Sequence, residues 1–183
     1  MTGAEVYIKI QVKHLFKGVL NEDRHSHKEE RQMEIYHGST VIVENPEIRT
    51  EKFNKDFYFG FYCTEFREQA QRWATRFGDG YINIYEYTEN PELKILRFPE
   101  LSEEWLDFIA ACRSGIPHEY DIVEGPMAND TIYNYVQDYL DGKLSRDQFW
   151  GLAKFKKPTH QISFHTDSAI ATLRFVRGDE VHE

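Results

Sequence analysis

The sequence predicts an α+β domain. Short β-branched and aromatic phrases alternate with amphipathic helical stretches, and no internal repeat is visible. The Gly- and Pro-containing connections between them are short enough for one folding unit. A chain of 183 residues that is 40% hydrophobic and 15% aromatic can also bury a substantial single core.

The elements read in order as follows. Residues 1–32 stand apart: a short apolar piece, Val6 to Val12, leads into the polar run Asn21 to Gln32. They are expected to be an N-terminal extension, partly disordered or foreign to the fold, with residues 33–183 forming the domain. Met33-Glu34-Ile35-Tyr36 opens the domain as a strand. Glu65 to Phe77 has helical periodicity, with Phe66, Ala70, Trp73, Ala74 and Phe77 on one face and Thr64 able to cap. Tyr81 to Tyr87 and Lys94 to Phe98 read as strands. Ser102 to Arg113 carries acidic residues in its first turn and Trp105, Phe108, Ile109 and Cys112 on one face, as a half-buried helix should. Tyr120 to Glu124 is a further strand, and Asp130 can cap a helix over Thr131 to Leu140. Ser145 with Gln148 three residues on forms a capping-box pattern. Gln161 to His165 reads as a strand whose residues Gln161, Ser163 and His165 share one face, an exposed catalytic edge. Asp167 to Phe175 reads as a final helix.

Composition narrows the function. Lys and Arg number 22 against 31 Asp and Glu, a formal charge of -9, which disfavours a non-specific nucleic-acid coat but not a small anionic ligand. Cys63 and Cys112 lie in no metal-binding spacing and are expected to be reduced and structural. His25 and His27 lack further ligands at useful spacing, so no metal is expected. Without a secretory signal or a membrane-length apolar run, the expected address is the cytoplasm, with no membrane partner.

The chemistry-bearing phrases come in a fixed order. They are Tyr36-His37-Gly38-Ser39; Lys55-Asp56-Phe57; Gly60-Phe61-Tyr62-Cys63-Thr64; Gln69-Ala70; Trp73-Ala74; Tyr120-Asp121-Ile122-Val123; Gly125-Pro126; Ala128-Asn129-Asp130; and Gln161-Ile162-Ser163-Phe164-His165-Thr166. In this the chain resembles a bacterial family catalogued as a domain of unknown function (number 3990), a family that looks like a branch of the ADP-ribosyltransferases. The resemblance implies a split β-sheet of two small sheets with packed helices, and NAD as substrate.

Carried over residue by residue, it implies that His37 anchors an NAD ribose hydroxyl, with Gly38 and Ser39 in the same contact, and that Tyr62 stacks on nicotinamide. Gln161 takes the place of the acidic residue of better-known enzymes. It can orient a ribose hydroxyl or the acceptor but is not a general base. Asp130 is the candidate carboxylate beside Tyr62 and Gln161, although an Asp before a helix is as readily a plain cap. Asp121 is a second acidic contact and Arg113 a candidate for an NAD phosphate. Relatives commonly carry Gly and a polar residue where this chain has Tyr58-Phe59.

The function so implied is an NAD-dependent mono-ADP-ribosyltransferase, a toxin of a toxin–antitoxin or defence system. It would modify a protein or nucleic-acid acceptor and be neutralised by a cognate antitoxin. NAD hydrolysis, a metal-independent ribonuclease using His37 or His165, and a silent NAD-binding module are the alternatives.

Overall fold

The computed structural model describes residues 31–50, 55–128, 130–153 and 159–183, without the side chains of Asp130 and Thr131. Among these, seven strands and five helices follow in the order β1 (Gln32–Ser39), β2 (Phe61–Cys63), α1 (Arg67–Ala74), β3 (Gly80–Thr88), β4 (Ile95–Arg97), α2 (Glu103–Arg113), β5 (Ile122–Gly125), α3 (Asp130–Leu140), α4 (Arg146–Ala153), β6 (Gln161–Phe164), α5 (Asp167–Ile170) and β7 (Leu173–Val181). Residues 1–30 of the expected extension lie outside the described residues. Arg31 and Gln32 belong to the fold, because β1 begins at Gln32. Among the described residues no helix is long and apolar enough to cross a membrane.

The strands divide into two small sheets, a three-stranded one in the order β1-β3-β7 and a four-stranded one in the order β2-β6-β5-β4. The first is antiparallel throughout, and in the second only β4 and β5 run parallel. A backbone bridge between Tyr36 and Thr64 joins them. Residue parity explains their stacking. On β3, Ile82 and Ile84 bury against Ala70 of α1, whereas Tyr85 and Tyr87 face the second sheet and meet Phe61, Ile122, Ile162 and Phe164. The other face of the four-stranded sheet, through Leu96 and Val123, packs on α2, α3 and α4 around Trp105, Phe108, Val136 and Phe149. The layers are thus one helix, two sheets and three helices.

Local chemistry accounts for several ends. Ser102 caps α2 by accepting from the Trp105 amide at 3.2 Å. The Ser145 amide donates to Gln148 Oε1 at 2.8 Å while the Gln148 amide donates to Ser145 Oγ at 3.3 Å, the reciprocal pair its spacing predicts.

Four expectations change. Helix α1 covers only Arg67–Ala74, buries Gln69, Ala70 and Ala74, and leaves Phe77 86% exposed beyond its end. Thr64 accepts from the Phe66 amide ahead of the helix rather than capping it. Helix α2 is buried from Leu106 to Arg113 apart from Asp107, because it lies between the sheet and α3, not on the surface. The expected final helix stops at Ile170, and Leu173–Val181 pairs instead with β3.

Candidate functional site

His37 lies within β1 near its end, and Tyr62 is the middle residue of β2. The imidazole Nδ1 sits 2.7 Å from the Tyr62 carbonyl oxygen, so Nδ1 carries the proton and donates, leaving Nε2 as an acceptor. The ring rests on Phe61 with centroids 4.5 Å apart. Burial pushes His37 down to about 4, against the pull of the Tyr62 carbonyl and with help from the charges of Arg49 and Lys55. It is therefore a neutral acceptor at ordinary pH.

Gly38 has a structural reason. A Cβ there would run into the Ala70 carbonyl oxygen and come within 2.7 Å of the Ala74 amide, so the close approach it permits is that of α1. Ser39 accepts from the Val41 amide at 3.2 Å in the turn after β1.

Tyr62 points to the helix-covered face of the four-stranded sheet. Its hydroxyl donates to the Tyr58 carbonyl at 2.5 Å and accepts from the Phe57 amide at 3.2 Å, holding the Lys55–Tyr58 turn from inside. Burial raises the phenol well above its ordinary range. Lys55 Nζ lies 4.6 Å from the ring centroid. Tyr58 itself has a φ of 70°, the left-handed region where glycine fits without cost. A glycine at this place, as the family resemblance implies, would adopt that backbone without cost.

Gln161 lies on the same face. Tyr62 pairs with Ser163, so Gln161 is the diagonal neighbour two residues along β6. The expected exposed edge is absent: β6 is interior to its sheet, and Gln161 is 3% exposed. Its Nε2 donates to Asp56 Oδ2 at 3.0 Å and to the Pro126 carbonyl at 3.4 Å. Two acceptors on one side fix the amide orientation and leave Oε1 as the group available to a ligand hydroxyl.

Asp56 is the residue sequence reasoning passed over. It is 5% exposed, and Arg113 Nε and Nη2, the Ala128 amide and Gln161 Nε2 all donate to its carboxylate. This explains the glutamine. A glutamate at 161 would set a second carboxylate against Asp56, whereas an amide supplies the missing donor. The available signal was an acid embedded among Phe57, Tyr58, Phe59 and Phe61. Arg113, read as a phosphate contact, is buried instead. Beyond Asp56 it donates to the Tyr133 carbonyl at 3.0 Å and lies 4.0 Å over the Tyr133 ring.

Asp121 is a clip between strands. It accepts from the Lys94 amide at 2.9 Å and the Thr166 hydroxyl at 2.8 Å. Asp130 opens α3, and its side chain lies outside the described residues. Glu124, at the end of the expected strand, is buried with Arg31, Arg97 and His160. Cys63 and Cys112 are buried free thiols.

Two histidines line the Tyr62 face. His165 Nδ1 donates to the Phe59 carbonyl at 2.5 Å and Nε2 meets Ser163 Oγ at 2.8 Å. His118 takes the Tyr120 amide on Nδ1 at 3.2 Å and donates from Nε2 to the Phe57 carbonyl at 3.1 Å. Their rings stand 4.4 Å apart, edge to face. Burial pushes His165 down to about 3, and lowers His118 as well.

The structure thus brings His37 and Tyr62 into direct contact and ties Tyr62 and Gln161 to one turn, while Asp121 and Arg113 serve the frame. A search of curated proteins and one of solved structures return no match. A family model described as protein of unknown function (DUF3990) matches residues 33–175, most of the chain, and the protein belongs to that family.

Proposed function

We propose that this protein is an NAD-dependent mono-ADP-ribosyltransferase. The observation that carries the reading is the His37–Tyr62 contact where the two sheets meet. A neutral imidazole whose Nδ1 is held by the Tyr62 carbonyl offers Nε2 to a ribose hydroxyl, and the Tyr62 side chain carried by that same residue is the ring proposed to flank nicotinamide. Gln161 Oε1 adds an acceptor for a second hydroxyl or the incoming nucleophile.

In this chemistry the bond between the ribose anomeric carbon and the nicotinamide nitrogen breaks as positive charge develops on the sugar. Asp56 is the acid nearest Gln161, and its carboxylate is fully engaged with N–H donors. Orientation of the sugar, rather than a free anion, would then lower the barrier, and turnover should be slow. Macromolecular modification, a toxin role and a neutralising antitoxin belong to the same proposal and rest on the family resemblance alone.

The test is nicotinamide release by wild type beside His37→Ala, Tyr62→Ala and Gln161→Ala. Losing the ribose anchor in His37→Ala should cost about a hundredfold in turnover. Equal release by all three variants rejects the assignment. Labelled NAD separates transfer to a macromolecule from release of free ADP-ribose.

A further inference from the structure

We propose that Lys55 and Arg49 form the diphosphate-binding edge of this site, a role that rests on the NAD reading for the ligand's identity but not for its charge. In a chain of formal charge -9, Lys55 and Arg49 are cations without a carboxylate partner among the described residues, as are Arg72 and Arg76, but only the first two adjoin Tyr62. Most other Arg and Lys side chains among these residues have a carboxylate partner. The acid next to Lys55 in sequence is Asp56, which is turned inward onto Arg113.

Both cations sit at the candidate site. Lys55 Nζ lies over the Tyr62 ring at 4.6 Å, and Arg49 bridges through its backbone to Gly60, two residues from Tyr62. Arg49 is close enough for its charge to be felt at both Lys55 and His37. Like charges held together with no carboxylate partner among the described residues are unfavourable, so an arriving anion gains from both at once.

The placement also links the two halves of a dinucleotide. Lys55 covers the ring face that nicotinamide would need, and its flexible stem lets the ammonium swing off as the ligand enters. The ring of the ligand then takes the tyrosine face while its phosphates take the ammonium.

The experiment is calorimetric titration of the full chain with inorganic pyrophosphate, ADP-ribose and NAD, at low and high salt. The variants are Lys55→Met, Lys55→Arg, Arg49→Met and, as a control, Arg72→Met on α1, with thermal melts to verify folding. Lys55→Met should weaken pyrophosphate and ADP-ribose about tenfold at low salt, the scale of one charge-assisted contact. Lys55→Arg should retain most of the affinity, and Arg72→Met all of it. Wild-type affinity in both Lys55→Met and Arg49→Met overturns the proposal, even if NAD is consumed. Lys55-dependent pyrophosphate binding without any nicotinamide release leaves the anion site standing and removes the dinucleotide reading.

Discussion

His160 and Gln161 are consecutive, yet each meets a buried carboxylate in a different part of the fold, and the two sites differ in dryness. Gln161 joins Asp56 and Arg113 beneath the helices, where the Arg113 side chain is 1% exposed. His160 donates from Nε2 to Glu124, whose other partners, Arg31 and Arg97, have side chains 37% exposed. Burial works to raise the Glu124 carboxyl, but hydrogen bonds from His160 and Arg31 outweigh it and hold it down to about 2. A dry pair has no solvent to replace a lost partner, while a rim network can rehydrate. The first should therefore behave as a fold-defining joint and the second as an adjustable clasp between Arg31 and the sheet.

The largest expected effect comes from breaking the dry pair. Asp56→Asn strands a buried guanidinium and should cost about 3–5 kcal/mol in urea unfolding. Arg113→Met in the same background should recover part of that loss, because no charge remains to be solvated. A cost below about 1 kcal/mol for Asp56→Asn would erase the contrast between the sites.

Glu124→Gln should cost less, about 1–2 kcal/mol, since Arg31 and Arg97 are already partly hydrated. Adding salt should shrink this difference more than that of Asp56→Asn.

The subtlest effect is in pH. His37 and His165 have folded values of about 4 and about 3 against an ordinary 6.5, so below 6.5 the unfolded chain binds protons the folded one refuses. Stability should fall as pH drops from 6.5 towards 3. Glu124, at about 2 against 4.5, contributes stability above 4.5 that is lost as pH falls through about 2. Melting temperatures from pH 7 to 3 should thus decline before carboxylates begin to protonate, and His165→Gln should flatten the upper part of the slope. Glu124→Gln should flatten only the part below 4.5. A slope above pH 5 that His165→Gln leaves unchanged removes the histidine contribution.

Five of the seven strands carry enough β-branched and aromatic residues in alternation to be read locally, as β3 shows from Tyr81 to Tyr87. Caps at Ser102 and Ser145 are likewise legible, because the groups they satisfy lie within three residues. Strand β7 was not. Asp167 to Phe175 offers a plausible helical start, and only the distant edge of β3 draws Leu173 onward into extended pairing. His37, Tyr62 and Gln161 could be singled out as phrases, but nothing local said that Asp56 would reach Gln161, 105 positions away, or that Lys55 would cover Tyr62.

Sequence by itself determined the α+β class, most element positions and the family, since hydrophobic period and short motifs act over a few residues. Tertiary structure alone decided that β6 is interior, that Gly38 serves helix packing, that Arg113 belongs to the core and that position 161 wants an amide. Each of those outcomes depends on which groups from remote segments compete for the same buried donors and acceptors, and that competition exists only once the chain has closed on itself.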